Sequence, residues 1–286
     1  MMRNMTALMS AFIRAYHAQT EGEKVFYDGG ARALLGEDYC AIAASIEQGA
    51  EFFGGGTLED CVAKLAGAPL ERAAFAKDAL KREAELGAAQ YLILGAGYDS
   101  FSYMRPDWAR ELEIYELDRQ EVLTDKALRA KNAGLEESAV RVCADLSKEG
   151  WSEDVKRAGV DPSKKTVCAM LGLSYYLTDD ELRCMLNEAG ELMCAGSALI
   201  MDYPDEEYFK GKGNMSVSLA AGAGEDMKSG LSYEKIQDML EKAGLLIYEH
   251  LDSYQAGRFF ERYNAAHEQH PIYAEKNVCL IHAVKR

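Results

Sequence analysis

Nowhere in its 286 residues does the sequence carry a lysine- or arginine-rich run, and its formal net charge is −15. Affinity for nucleic acid comes mostly from neutralising phosphates, so a DNA- or RNA-wrapping surface is not expected. An anionic membrane surface is disfavoured on the same ground. No apolar stretch approaches the length of a membrane span. The seven cysteines (40, 61, 143, 168, 184, 194 and 279) are odd in number, scattered, and contain no Cys-x-x-Cys. That argues against a disulfide framework or a zinc site and for reduced thiols in a cytoplasm. There is no internal repeat, and the glycines punctuate the chain rather than form a low-complexity tract. Residues 1–18 read as an amphipathic helix rather than a signal peptide, because Asn4, Thr6, Ser10 and Arg14 interrupt the apolar positions. No Ser-His or His-Asp constellation stands out. His267 and His270 have helical i,i+3 spacing without a third ligand, so no metal is expected there. His282 falls in the last strand and reads as a core residue.

What is present is a large apolar fraction, 48%, enough for one large α/β domain or a core domain with an added cap. Residues 1–86 read as a helical cap without a strand pattern, and residues 87–286 as the core. Pro69 sits well as the first residue of a helix that Gly87 ends. The run Gln90-Tyr91-Leu92-Ile93-Leu94 then reads as a buried strand that stops at Gly95-Ala96-Gly97. Such a turn, at the carboxyl end of a first parallel strand, lets the backbone approach a ligand closely. The position of a third glycine is Ser100, and Pro106 leaves room for only a short helix, which departs from the dinucleotide pattern. A second strand, 112–118, ends in Glu116 and Asp118. An acid at that distance from the glycines can accept hydrogen bonds from both hydroxyls of a ribose.

Further strands are expected at 139–143, 165–171, 198–203, 245–251 and 278–284, with helices at 119–131, behind the capping box Thr178–Glu181, and behind Ser232. Residues 204–231 are polar, glycine-rich and long for a connection, which suits a lid or insertion. Strand and helix alternate from Gln90 onward, implying a mostly parallel sheet covered on both faces.

Taken together, these pieces resemble the leucine carboxyl methyltransferase family of class I S-adenosylmethionine-dependent methyltransferases, including its bacterial O-methyltransferases of polyketide type. The resemblance runs through Phe26-Tyr27-Asp28 with Ala33-Leu34-Leu35-Gly36, and through Arg72 with Asp78. It continues in Leu92-Ile93-Leu94-Gly95-Ala96-Gly97-Tyr98-Asp99-Ser100 and in Tyr115-Glu116-Leu117-Asp118 with Glu121, Val122, Leu123 and Lys126. It ends in Asp145-Leu146 and Tyr176-Leu177-Thr178. It implies a Rossmann-like seven-stranded sheet whose last two strands form a reversed hairpin, with S-adenosyl-L-methionine across the carboxyl ends of strands one and two. Gly95, Ala96 and Gly97 would approach the methionine part and Arg72 would pair with its carboxylate. Asp118 would bind the ribose, and Asp145 and Leu146 would address the adenine. Guanidinium suits a carboxylate and a carboxylate suits a vicinal diol on chemical grounds alone. The chain departs from the family at Leu171, where a Glu-Gly-x-x-x-Tyr-Leu pattern puts an acid that touches the cofactor. Backbone carbonyls or Asp99 are then the candidates to hold the cofactor's amino group.

The expected activity is O-methyl transfer to a carboxylate or hydroxyl of a small-molecule or peptide-carboxylate acceptor, with Tyr175, Tyr176 and Tyr203 as candidates to line its pocket. A sulfonium donor is already activated, so alignment and desolvation matter more than covalent help. Two alternatives stand beside this reading: a catalytically degenerate cofactor-binding protein, motivated by Leu171, and a nicotinamide-dependent oxidoreductase.

Overall fold

A computed structural model describes residues 4–210, 214–228 and 230–286; residues 1–3 of the expected first helix, and 211–213 and 229 of the expected lid, lie outside that set. The first helix, Met5–Gln19, begins where the Asn4 side chain accepts from the Ala7 N–H. It packs with helices Ala31–Leu35, Asp38–Gln48, Leu58–Leu65 and Gly67–Glu85 around a core that includes Leu8, Phe12, Ile13, Leu35, Ile42, Leu65 and Leu70. The helix expected to begin at Pro69 begins two residues earlier. Proline is tolerated there because the N–H groups of a first turn have no partner inside the helix.

Seven strands follow: β1 (Gln90–Leu94), β2 (Glu113–Asp118), β3 (Ala139–Cys143), β4 (Thr166–Met170), β5 (Ala198–Pro204), β6 (Leu245–Leu251) and β7 (Val278–Lys285). Their order in the sheet is β3-β2-β1-β4-β5-β7-β6, with β7 antiparallel to both neighbours and the β1, β2, β3, β4 and β5 pairings parallel. One face carries Leu92, Leu94, Leu117, Met170 and Met201 against Leu182, Met185 and Leu186 of the helix Asp179–Glu191 and Ile236, Met239 and Leu240 of the helix Tyr233–Lys242. The other carries Tyr91, Ile93, Ile114, Ala169 and Ile200 against Phe75, Ala79 and Leu80 of the helix Gly67–Glu85. Burial on both faces is why β1, β4 and β5 read as near-continuous apolar runs rather than as alternating ones.

The last two strands form the expected reversed hairpin, β6 pairing antiparallel with β7, and the connection between them carries two short helices, Ser253–Ala256 and Glu261–Ala266. One expectation needs correction. Between Gly97 and Pro106 there is no helix of any length, only turns, and the next element is a short 3-10 turn at Asp107–Ala109. The helix Trp151–Arg157 had no counterpart in the sequence reading. Among the described residues no helix is long and apolar enough to cross a membrane.

What matters for function is where the strand order turns. β1 pairs with β2 on one side and β4 on the other, so the chain reverses direction across the sheet at β1. The crevice beyond the carboxyl ends of such a pair is where open α/β sheets hold ligands.

Candidate functional site

A cavity of about 1110 Å³ opens at that point, lined by the ends of β1, β2, β3 and β4 and roofed by the first helix and residues 216–228. Its floor is the glycine turn. Gly95 and Gly97 have φ of +71° and +45°, a region that side chains with a Cβ rarely enter. The N–H groups of Gly95 and Ala96 both donate to the Leu117 carbonyl, each at 2.9 Å, fastening the turn to β2. A Cβ on Gly97 would stand 3.3 Å from that of Ala7, so the first helix lies close over the turn.

Asp118 is fixed by the same turn. One carboxylate oxygen accepts from the Gly97 N–H at 2.8 Å and the other from the Arg119 N–H at 2.8 Å. Burial pushes its carboxyl above the usual range, while those two N–H groups and then Arg119 and Lys126 pull it back. Each oxygen keeps a further lone pair, and Asp118 borders the cavity. Glu116, the other acid near the end of β2, does not border it. It is fully buried, 2.9 Å from the Lys126 ammonium, and accepts from the Ser102 hydroxyl at 2.6 Å. Sequence spacing alone does not separate the two.

Asp99 borders the cavity and accepts from the Phe101 N–H at 2.8 Å; burial raises its carboxyl, against the pull of Lys126 and Arg14. Asp145 stands at the exposed rim, where it accepts from the Ser147 hydroxyl at 2.6 Å and pairs with Lys148 at 3.0 Å. Those contacts hold its carboxyl below the ordinary range. Leu146 is buried and reaches the cavity wall. Leu171 and Gly172 follow β4. Leu171 packs among the apolar residues beneath the helix Gly67–Glu85, which also delivers Arg72 to the cavity.

The aromatic residues divide. Tyr175 and Tyr176 line the cavity, joined by Tyr208, which the sequence gave no reason to select. Tyr203 does not: it is buried in the sheet core, and its hydroxyl lies 2.9 Å from His250 Nε2. Its place in an acceptor pocket is therefore withdrawn. Alternation along β5 points it to the core face and gives its neighbour Asp202 the opposite one.

The roof is tied down by polar contacts. Arg14 on the first helix bonds the Tyr98 carbonyl at 3.0 Å and Asp28 at 2.9 Å. Asp28 also accepts from the Ser100 hydroxyl and the Ala31 N–H. The helix Met215–Gly222 is followed by Glu225, whose carboxylate takes the Met5 N–H at 2.9 Å and the Thr6 hydroxyl. Lys228 donates its N–H to the Tyr175 carbonyl at 2.7 Å and its ammonium to Glu181 at 2.7 Å. None of the five histidines borders the cavity. His267 bonds the Tyr263 and Glu21 carbonyls, His270 lies against Glu59 and Asp60, and His282 against Glu83.

Comparison with known proteins gives three findings. The family model described as leucine carboxyl methyltransferase matches residues 7–189. YktD of Bacillus subtilis (strain 168), named as a candidate S-adenosyl-L-methionine-dependent methyltransferase, is 31% identical over 303 aligned positions, covering 99% of this chain and 98% of its own. A similarly named protein of Frankia alni, FRAAL3836, is 33% identical over 136 residues, spanning 47% of this chain and 48% of its own. Among solved structures, a DUF574 family protein from Streptomyces avermitilis aligns over 97% of both chains with a TM-score of 0.58 and 15% identity, a likeness of fold.

Proposed function

Because the chain belongs to the leucine carboxyl methyltransferase family and is an S-adenosylmethionine-dependent methyltransferase, we propose that it moves the methyl group to an oxygen of an organic acceptor, a carboxylate or a hydroxyl. The observation that carries this reading is Asp118. Its carboxylate is locked by Gly97 and Arg119 and borders the cavity that the Gly95–Gly97 backbone and Arg72 also border.

The residues suit the donor chemically. A carboxylate with free lone pairs suits the two ribose hydroxyls, and the glycine turn admits a ligand against bare backbone. The guanidinium of Arg72 suits the carboxylate of the amino-acid tail, and Leu146 offers an apolar wall, with Asp145 at the rim, for the adenine. When bound, S-adenosylmethionine supplies a methyl group already activated by its sulfonium. The remaining work of the chain is to align the acceptor oxygen and exclude water. At about 1110 Å³ the cavity exceeds the roughly 300–1,000 Å³ of a common small-molecule pocket, which leaves room for donor and acceptor together. Tyr175, Tyr176 and Tyr208, with Thr6 and Ser216, border the cavity, and in this reading they line its acceptor side. A carboxylate acceptor needs no base, which suits a cavity without histidine; a hydroxyl acceptor would need one of the bordering acids. In this reading residues 204–231 act as a lid, held shut by Glu225 and Lys228.

Transfer of labelled methyl from the donor to a panel of organic acids and alcohols tests this. The expected product from an acid is a methyl ester that alkali cleaves; label that alkali and acid leave on nitrogen or carbon would contradict it. A second reading, cofactor binding without turnover, is motivated by Leu171. Under the proposal Leu171→Glu leaves affinity for S-adenosylhomocysteine within about threefold of the wild type. A large gain in affinity accompanied by transfer that the wild type lacks would instead identify the native site as degenerate.

A further inference from the structure

Near the carboxyl end of β5, in an otherwise apolar run, stands Asp202, fully buried. A buried carboxylate is tolerated only when paired and hydrogen-bonded, so its partners identify its role. One oxygen accepts from the Gly172 N–H at 2.6 Å. The other accepts from the Tyr175 hydroxyl at 3.0 Å and from Arg72 Nη1 at 3.2 Å. Three elements that border the cavity thus converge on one charge: the helix Gly67–Glu85, the turn after β4, and the aromatic segment behind it. Gly172 makes the approach possible. Its φ is +65°, and a Cβ there would fall 2.4 Å from Arg72 Nη1. Among the described residues the other edge of the guanidinium has no comparable partner, because Nη2 meets only the Ser10 hydroxyl, at a long 3.4 Å.

We propose that Asp202 is the positioning residue for the donor's amino-acid tail: it holds one edge of the Arg72 guanidinium so that the other edge is presented to the tail's carboxylate. The inference rests on the reading of Arg72 as that carboxylate's partner. The tail is a zwitterion, so a bare guanidinium attracts one of its charges and repels the other. Paired with Asp202, the same guanidinium offers oriented N–H donors with no net charge. The acid that the family pattern places at residue 171 is then supplied from the neighbouring strand, acting through Arg72 and the Gly172 N–H. That leaves Leu171 to pack among apolar neighbours.

The test is a double-mutant cycle of Asp202→Asn and Arg72→Ala, read by calorimetry with two ligands. S-adenosylhomocysteine carries the tail; 5′-methylthioadenosine lacks it. Asp202→Asn is expected to weaken S-adenosylhomocysteine roughly tenfold, the scale of one charge-assisted hydrogen bond. It should leave methylthioadenosine unchanged and add nothing in the Arg72→Ala background. Equal loss of both ligands would show a general scaffold role and overturn the proposal, as would full additivity with Arg72→Ala or unchanged or improved S-adenosylhomocysteine binding. Undiminished S-adenosylhomocysteine binding by Arg72→Ala alone would overturn the underlying assignment of Arg72, a result distinguishable from failure at Asp202. Should Asp202→Asn not fold, Gly172→Ala displaces the guanidinium while keeping the carboxylate. The same tail-specific loss is expected, and undiminished affinity would overturn the proposal.

Discussion

Asp118→Ala lowers the affinity for S-adenosylhomocysteine by roughly two orders of magnitude. Hydrogen bonds to a charged partner contribute about 1.5–3 kcal/mol each, and every 1.4 kcal/mol is about a factor of ten. A ribose offers two hydroxyls, and imperfect additivity brings the sum back toward about 3 kcal/mol. The substitution also orphans the Gly97 and Arg119 N–H groups, which now share this carboxylate. Some of the loss therefore comes through a loosened glycine turn. Titrating the 2′- and 3′-deoxy analogues separates the two contributions. Removing a hydroxyl costs the wild type affinity but costs Asp118→Ala little; equal sensitivity of both proteins would remove Asp118 from the ribose.

The second large effect lies beside the site, at Glu71. Its side chain is fully buried on the helix that carries Arg72, with the Glu275 backbone as a polar neighbour. Burial, followed by the charges of Glu275 and Asp202, pushes its carboxyl up to about 8, against the pull of the Glu275 backbone N–H and then of Arg72. The folded protein therefore holds this proton more tightly than the unfolded chain, whose carboxyl titrates near 4.5. The stabilisation from protonated Glu71 is complete below about pH 4.5. It declines as pH rises between 4.5 and 8, and is gone above about 8. The decline is at most about 1.4 kcal/mol per pH unit and amounts to a few kcal/mol in all. Urea unfolding at pH 6 and pH 8.5 should show the wild type losing stability over that interval and Glu71→Gln losing much less. Parallel losses would mean that Glu71 is not the group responsible.

Much of the fold was legible because its signals are local and repeated. A strand buried on both faces is largely apolar, and β1, β4 and β5 are, with Gln90, Thr166 and Asp202 as their polar exceptions. The capping box of Thr178 and Glu181 marks its helix start in the structure as in the sequence. The glycine turn and Asp118 could be read because a tight turn and an acid a fixed distance beyond it are constraints carried by few residues. What was not legible depends on facing and on distant partners. Glu116 and Asp118 differ by two residues, yet one is consumed by Lys126 and the other borders the cavity. Tyr203, beside a strand end in sequence, turns its hydroxyl to His250 in the core rather than to the cavity. Asp202 carried the one available clue, a charge inside an apolar strand. Its partners Arg72 and Tyr175 come from other parts of the chain, 130 and 27 positions away. Glu71 stands beside Arg72 in sequence but faces away from the cavity lining, toward Glu275.

The central claim is that the crevice over the Gly95–Gly97 turn is a donor site. Calorimetric titration of the wild-type protein with S-adenosylhomocysteine tests it most directly. Saturable binding at one site per chain, in the micromolar range and sharply weakened by Asp118→Ala, is the expected result. No binding by the wild type at millimolar ligand would contradict it.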